Sequence, residues 1–249
     1  MMAVESKESK KTEIVLDEVM PTLFIALGGT GAEVLWRIRR RILNTLWGAG
    51  TGKPVRLNGL SEFPLAEFLQ IDLDANTVME QGKAAKSDIL ANKILFKEEE
   101  KVVKKLDLTK YVKTDEDLAK YPLIQEWFPL SRSKVNELNI NVEEGAGQIR
   151  SLSRLYFFDK YQEIKNAIRS KSEHLLQNLN SAESAKRLGM AVKAGSLKIV
   201  VCASTAGGTG SGSFLDIGYV AQIVGKIAAQ AGVTTNLVLF LPTGYGGAN

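Results

Sequence analysis

The sequence has a single cysteine, Cys202, and a single histidine, His174. One cysteine excludes an internal disulfide framework, and one residue of each kind excludes a metal site built from several Cys or His ligands. A magnesium ion held by carboxylates stays open, because it needs only oxygen ligands. Catalysis by serine, cysteine or histidine has little support, since Cys202 lies in an apolar run and His174 is far from it in sequence.

Long apolar runs are also missing. No run approaches the ~20 residues of a membrane-spanning helix, and the opening MMAVESKESKKTE lacks the apolar stretch of a signal peptide. We therefore expect a cytoplasmic protein with no membrane segment. The net charge of +4 is mild, and much of the excess lies in Arg37, Arg39, Arg40 and Arg41. These arginines spread around more than one helical face, which favours a solvated surface over a nucleic-acid-binding stripe.

The first half of the sequence predicts a leader, two strands and an insertion. Residues 1–20 are charged and hydroxyl-rich, and we expect them to be a disordered leader before a folded domain over residues 21–249. TLFIAL (22–27) predicts a strand, which passes through GGTG into a helix with helically spaced apolar residues. AEFLQIDLDA (66–75) predicts a second strand that ends at carboxylates. Residues 77–140 are charge-rich and predict a helical insertion.

The second half predicts the same order of strand, glycine loop and helix. Apolar residues at three-, four- and seven-residue spacings from Phe157 to Leu179 predict one long amphipathic helix. SLKIVVCAST (196–205) predicts a strand that leads through AGGTGSGS into an apolar helix, and TTNLVLFLPT (234–243) predicts another strand. Strands that alternate with helices predict an α/β fold with a doubly wound, mostly parallel sheet.

Two glycine loops stand between a strand and a helix, at 28–31 and 206–213. Such a turn exposes backbone N–H groups at the positive end of the helix dipole, and glycine lets that backbone approach phosphate oxygens. Hydroxyl donors are added by Thr30, Thr209, Ser211 and Ser213. Two loops can serve one ligand if they flank the switch point of the sheet, which requires the first strand and the strand from Ser196 to be neighbours. The short GGTG is equally compatible with a tight turn, and neither loop is a Walker motif.

The loop AGGTGSGS resembles the signature loop GGGTG(S/T)G of the tubulin/FtsZ superfamily. Three further features occur in the family's order: GGTG after the first strand, Asp74-Ala75 after the second, and Gly145-Ala146-Gly147 before the signature. The resemblance covers about residues 21 to 245, and GAGQIR is similar to the large bacterial tubulin-like proteins. It implies a Rossmann-like GTPase domain.

The resemblance also implies a guanine-nucleotide site for GTP or GDP with Mg²⁺. The α- and β-phosphates would be held by Gly28, Gly29, Thr30 and Gly31 together with Ala206, Gly207, Gly208, Thr209, Gly210, Ser211 and Gly212. Ala146 and Gly147 would sense the γ-phosphate, and Asp74 would reach the magnesium through water. From the residues alone, Asp72 and Asp74 are equally well explained by strand-end solvation or helix capping. Ala32 departs from the family, which often has asparagine there.

Members of the family assemble head to tail, and an acidic loop of one subunit helps to hydrolyse the nucleotide of the next. That loop and the guanine-contacting central helix would follow Asn249. We therefore expect this chain to be the N-terminal GTP-binding portion, either a truncated fragment or a natural short form of a longer protein, with slow turnover and no long filaments of its own. No catalytic residue is assigned. Two other functions stay open, a non-hydrolysing scaffold and an NAD(P)-binding oxidoreductase domain. The latter fits poorly, because GxGxxG would need a glycine at Val34 and the carboxylates lie beyond the expected ~20 residues.

Overall fold

A computed structural model describes residues 17–48, 53–76, 78–79, 89–114, 116–137, 149–177 and 180–245. The strands in these ranges are β1 (Asp17–Val19), β2 (Thr22–Leu27), β3 (Ala66–Asp72), β4 (Lys101–Val103), β5 (Met190–Val192), β6 (Ser196–Ser204) and β7 (Gly232–Phe240). Among them, five form one sheet in the order β4-β3-β2-β6-β7, and every neighbouring pair is parallel. The predicted parallel α/β architecture is confirmed.

The helices lie between the strands in sequence. They are α1 (Gly28–Asn44), α2 (Ile89–Ile94), α3 (Thr109–Val112), α4 (Pro122–Gln125), α5 (Arg132–Glu137), α6 (Arg150–Asp159), α7 (Tyr161–Gln177), α8 (Asn180–Arg187) and α9 (Gly208–Ala228). Short 3₁₀ turns occur at Leu60–Glu62, Glu98–Glu100, Asp117–Lys120 and Pro242–Tyr245. None of the helices in the described ranges combines the length and apolar character needed to cross a membrane.

Helices cover both faces of the sheet because successive side chains of a strand point to opposite sides. Ile25 and Leu27 of β2 enter the apolar cluster that contains α6, α7 and α9. Ala26, between them, enters a second cluster with Ala32 and Leu35 of α1. Such two-sided burial explains why the strands of this sheet are apolar at consecutive positions.

Cys202 belongs to the α1 side of the sheet, where it is buried. Burial raises the pKa of its thiol to about 11, because the thiolate loses its hydration. The thiol is therefore protonated near neutral pH, as expected of a small apolar core residue.

Two segments have a different secondary structure from the one predicted. Residues 17–19, placed in the leader by the sequence analysis, form β1, which pairs in parallel with β5; residues 1–16 lie outside the described ranges. The insertion predicted at 77–140 is not purely helical, because Lys101–Val103 forms the edge strand β4 beside β3. Both strands are only three residues long, too short for a period-two pattern to be visible.

Within the described residues, the predicted long helix from Phe157 to Leu179 is two helices, α6 and α7, while Leu179 itself lies outside them. The chain leaves helical geometry at Lys160, with φ −101° and ψ 13°. Asp159, just before the break, accepts hydrogen bonds from Lys110 Nζ at 2.8 Å and Tyr111 Oη at 2.6 Å. Phe157 and Tyr161 make an edge-to-face contact across the break. Apolar residues on the two sides of the break therefore still pack together, which is why their spacing predicted one helix.

Arg39 corrects the expectation of a solvated arginine cluster. Its side chain is only 1% exposed, and Nη1 and Nη2 donate to Glu100 Oε2 at 3.0 and 3.1 Å. The guanidinium also lies 4.9 Å from the ring centres of both Phe68 and Phe96. Arg37, Arg40 and Arg41 are exposed as expected.

Candidate functional site

The two glycine loops meet at the carboxyl edge of the sheet. β2 and β6 are parallel neighbours, and Leu27 is paired with Ala203, so the chain leaves both strands at the same level. It then enters α1 on one face and α9 on the other, which makes this place the switch point of the sheet. A Cβ added to Gly28 would lie 3.2 Å from the Thr209 Cβ, so the loops are in contact. The predicted adjacency of these strands is confirmed.

Three helices begin at this point. Beside α1 and α9, the first residue of α6, Arg150, lies so close to α9 that a Cβ on Gly212 would overlap its carbonyl oxygen. None of the three helices has a side-chain N-cap, and none has an acidic residue in its first turn. Helix starts present backbone N–H groups and the positive end of the dipole, and the usual neutralising groups are missing from these three. The arrangement favours an anion.

The glycines of the two loops have two different roles. Three are packed: a Cβ on Gly31 would overlap the Cys202 carbonyl oxygen, one on Gly210 would lie 2.8 Å from the Ser204 carbonyl oxygen, and Gly212 is crowded by Arg150. These glycines bring α1 and α9 close to their neighbours. Around Gly29 and Gly207, by contrast, an added Cβ meets no atom within 4 Å. Their backbone is accessible to a ligand.

The hydroxyls expected to add donors are already used inside the protein. Ser211 Oγ donates to the carbonyl oxygens of Gly207 and, at 3.2 Å, Gly208. Ser213 Oγ donates to the Thr209 carbonyl at 2.8 Å, and Ser153 Oγ of α6 donates to the same oxygen at 2.6 Å. These bonds hold the first turn of α9 in shape. The first turn of a helix has backbone N–H groups without an intrahelical partner, and these are the donors that the start of α9 can offer a ligand.

Asp72 is the residue at this site that the sequence analysis did not assign. It ends β3, is 4% exposed, and its Oδ1 accepts a 2.9 Å hydrogen bond from Thr209 Oγ1. Oδ1 also accepts from the Asp74 backbone N–H at 3.3 Å. Burial raises the pKa of Asp72 to about 6, although the hydrogen bond from Thr209 opposes the rise. The position of Asp72 at the end of an apolar strand was the available signal.

The remaining predicted residues are placed as follows. Asp74 and Ala75 follow β3 and are half-buried, next to Asp72. Gly145, Ala146 and Gly147 lie outside the described residues, so their predicted role is not tested. Arg150, three residues after Gly147, starts α6, and its Nη2 donates to the Thr205 carbonyl at 3.3 Å.

A model of a tubulin-like protein family matches residues 23–249. The chain belongs to this tubulin-like family. The match includes β2 from Leu23 onward, β3, β6 and both glycine loops. No curated protein matches the chain. Membership of the tubulin-like family leaves the oxidoreductase alternative without support, and that alternative also gave no role to the loop at 206–213.

The tubulin-like chain also has a groove at the other end of the sheet, where the strands begin. This groove of about 780 Å³ lies beside the amino end of β3 and is lined by Arg39, Glu67, Lys171 and His174, among others. His174 Nδ1 lies 2.6 Å from Glu67 Oε1, and Lys171 Nζ donates to Glu67 Oε2 at 2.8 Å. No residue of the two glycine loops lines this groove. Within the described ranges, no cluster of three or more His, Cys, Asp or Glu side chains could hold a metal.

The buried carboxyl predicts an effect of Asp72→Asn on stability. The folded-state pKa of about 6 lies above the ordinary 3.8, so the folded chain binds more protons between these values and the free energy of unfolding falls as pH rises through them. At 1.36 kcal/mol per pKa unit, the fall is about 3 kcal/mol. Asparagine cannot ionise but still accepts from Thr209, so Asp72→Asn is expected to be more stable than wild type at pH ~7.5, by up to that amount.

Urea unfolding at several pH values between about 4 and 8 measures this difference. Glu99→Gln, at an exposed carboxylate, is the matched control and should leave the pH profile unchanged. An Asp72→Asn profile parallel to that of the wild type would show that Asp72 does not carry the pH dependence.

Proposed function

We propose that this tubulin-like protein binds GTP and GDP with the phosphates at the starts of α1 and α9. One observation carries the proposal: three helix N-termini without side-chain caps or acidic first-turn residues begin together at the switch point of a parallel sheet. A polyphosphate can accept hydrogen bonds from the uncapped backbone N–H groups of these helix starts. Family membership points to the same ligand.

The inner phosphates would be bound by backbone amides of the two loops, 28–31 and 207–212. The open positions Gly29 and Gly207 fit this role, because a side chain there would enter the space that the phosphates need. The packed positions Gly31, Gly210 and Gly212 would support the loops from behind. The γ-phosphate contact of Ala146 and Gly147 stays a prediction.

Magnesium would be held next to the end of β3. Mg²⁺ commonly uses one or two carboxylates together with waters and substrate phosphates, so a cage of protein ligands is not required. Asp72 and Asp74 supply the carboxylates, and the bond from Thr209 to Asp72 joins them to the signature loop. When bound, the ion neutralises phosphate charge. The chain's own part is to orient these oxygens.

Gly207→Val tests the proposal. The backbone of Gly207, with φ −80° and ψ 164°, suits any residue, and the new side chain meets no protein atom at Cβ. We therefore expect a normal fold and, because the valine occupies phosphate space, at least about tenfold weaker binding of GDP and of a non-hydrolysable GTP analogue, a cost of ~1.4 kcal/mol or more. Titration calorimetry with Mg²⁺ measures the affinities.

Gly59→Val is the matched control. Gly59 also has an extended backbone, with φ −158°, and lies by the groove at the other sheet edge. Its replacement should leave nucleotide affinity at the wild-type value. Equal affinity of Gly207→Val and Gly59→Val, with both folded, would contradict phosphate binding at the start of α9.

Head-to-tail assembly and GTP hydrolysis belong to the same proposal. Gly29 and Ala206 are exposed, so a second subunit placed over this edge would meet the bound nucleotide. Such a contact joins two different surfaces and propagates into a filament. The 249 residues alone are expected to turn over GTP slowly and to form no long filaments. Steady phosphate release together with strong light scattering from this chain, with Gly207→Val as the reference, would contradict that expectation and would also exclude a non-hydrolysing scaffold.

A further inference from the structure

Arg150 places a cation beside the signature loop. It is the first residue of α6, and its side chain is exposed. Its Nη2 donates to the carbonyl oxygen of Thr205, which directly precedes Ala206 and Gly207. The guanidinium therefore lies next to the open start of α9.

The backbone that carries this side chain is fixed. The Arg150 carbonyl packs against Gly212 so closely that no Cβ fits between them. One turn further on, Ser153 is fully buried and donates to the Thr209 carbonyl at 2.6 Å. Two contacts thus hold the first turn of α6 against the first turn of α9. They fix the backbone of Arg150 relative to the signature loop.

The bond that holds the guanidinium is weak enough to be exchanged. At 3.3 Å it is longer than the usual N–H···O range, and its acceptor is a neutral carbonyl. A phosphate oxygen gives a shorter, charge-assisted bond, and arginine can bind it through two N–H groups. A phosphate placed at the start of α9 would therefore draw the side chain away from Thr205.

We propose that Arg150 binds the terminal phosphate of the nucleotide and makes the site prefer a triphosphate over a diphosphate. This inference rests on the proposed function. The inner phosphates would be bound by the backbone amides of the two loops. The terminal phosphate of a triphosphate lies beyond the two inner phosphates. The long side chain of Arg150, at the margin of the loops, can reach it.

Arg154 offers a matched control on the same helix. Its guanidinium lies 4.7 Å from the centre of the Trp127 ring, and its Nε is 3.4 Å from Asp216. Arg154 has the same charge as Arg150 and lies one turn further from the loop, but its contacts already engage it. Arg150→Ala and Arg154→Ala therefore remove the same charge from two different places.

The experiment measures affinities for GDP and for a non-hydrolysable GTP analogue, with Mg²⁺, in the wild type, Arg150→Ala, Arg150→Lys and Arg154→Ala. Loss of one charge-assisted bond should weaken binding of the triphosphate in Arg150→Ala by about tenfold. GDP affinity should change by less than about threefold, and Arg150→Lys should restore part of the preference. Arg154→Ala should match the wild type.

Each other outcome has one meaning. Equal loss for both nucleotides in Arg150→Ala would overturn the assignment to the terminal phosphate, since a shared phosphate would then be the contact. Unchanged affinity for both would overturn the role of Arg150 while leaving the proposed function intact. Failure of the folded wild type to bind either nucleotide would instead overturn the proposed function.

Discussion

Gly212→Ala is expected to destabilise the protein by about 3 kcal/mol or more, because its Cβ has no room. That atom would overlap the Arg150 carbonyl oxygen and lie 2.7 Å from the Ser153 Cβ. Neither obstacle can rotate away, since one is backbone and the other belongs to a fully buried side chain. The starts of α6 and α9 would have to separate. At an open helical position the same change stabilises by up to ~1 kcal/mol, so the sign of the effect is diagnostic.

Gly207→Ala is the matched comparison. It lies in the same loop, but its Cβ meets no atom within 4 Å, so the expected cost is only that of an alanine in place of a glycine at the N-cap, about 1 kcal/mol or less. Urea or thermal unfolding of both variants measures the difference. A Gly212→Ala protein as stable as Gly207→Ala would mean that α6 does not press against α9 in solution.

Glu100→Gln should cost about 3 to 5 kcal/mol of stability, the usual result of removing one partner of a buried ion pair. Arg39 would keep its charge but lose the carboxylate that is hydrogen-bonded to it, with only the weaker attraction of Glu67 left. Burial already lowers the pKa of Arg39, and Glu100 opposes that effect most strongly. Glu100 also accepts from the Lys97 backbone N–H at 2.7 Å, which the glutamine oxygen can still do. The loss therefore reports the charge and not the local turn.

The double variant Arg39→Met with Glu100→Gln tests this account. Methionine is apolar and fits against the rings of Phe68 and Phe96, so most of the lost stability should return. A double-mutant cycle by urea unfolding measures the coupling. If the double variant is less stable than Glu100→Gln, the deficit does not come from an unpaired buried cation.

The strands and loops that form the site could be predicted because their signals are local. TLFIAL followed by GGTG, and SLKIVVCAST followed by AGGTGSGS, each place a buried strand, a glycine turn and a helix within about twenty residues. Parallel pairing of β2 with β6 then follows from the need of two such units to share one sheet. This pairing places the two glycine loops side by side at the carboxyl ends of the strands.

The features that were missed depend on partners distant in sequence. Arg39 stands in a run of arginines, and its burial is decided by Glu100 in the insertion. In the sequence Asp72 is an ordinary carboxylate at the end of a strand. Its role appears only in the fold, where Thr209 donates a hydrogen bond to it. The roles of Gly29 and Gly212 are likewise invisible in the sequence, because both are glycines in similar loops and only the neighbouring elements distinguish them.

The pairing of β2 with β6 has a consequence for synthesis of the protein on the ribosome. Thr22 is paired with Lys198, and Leu27 with Ala203, so the two halves of the proposed phosphate site leave the ribosome far apart in time. At 5–20 residues per second, the first glycine loop waits on the order of ten seconds for the second. Until then β2 lacks one neighbour, and α1 lacks the Cys202 carbonyl against which Gly31 packs. The proposed binding of nucleotide can therefore begin only after β6 has paired with β2, so nucleotide binding by the nascent chain would report this pairing.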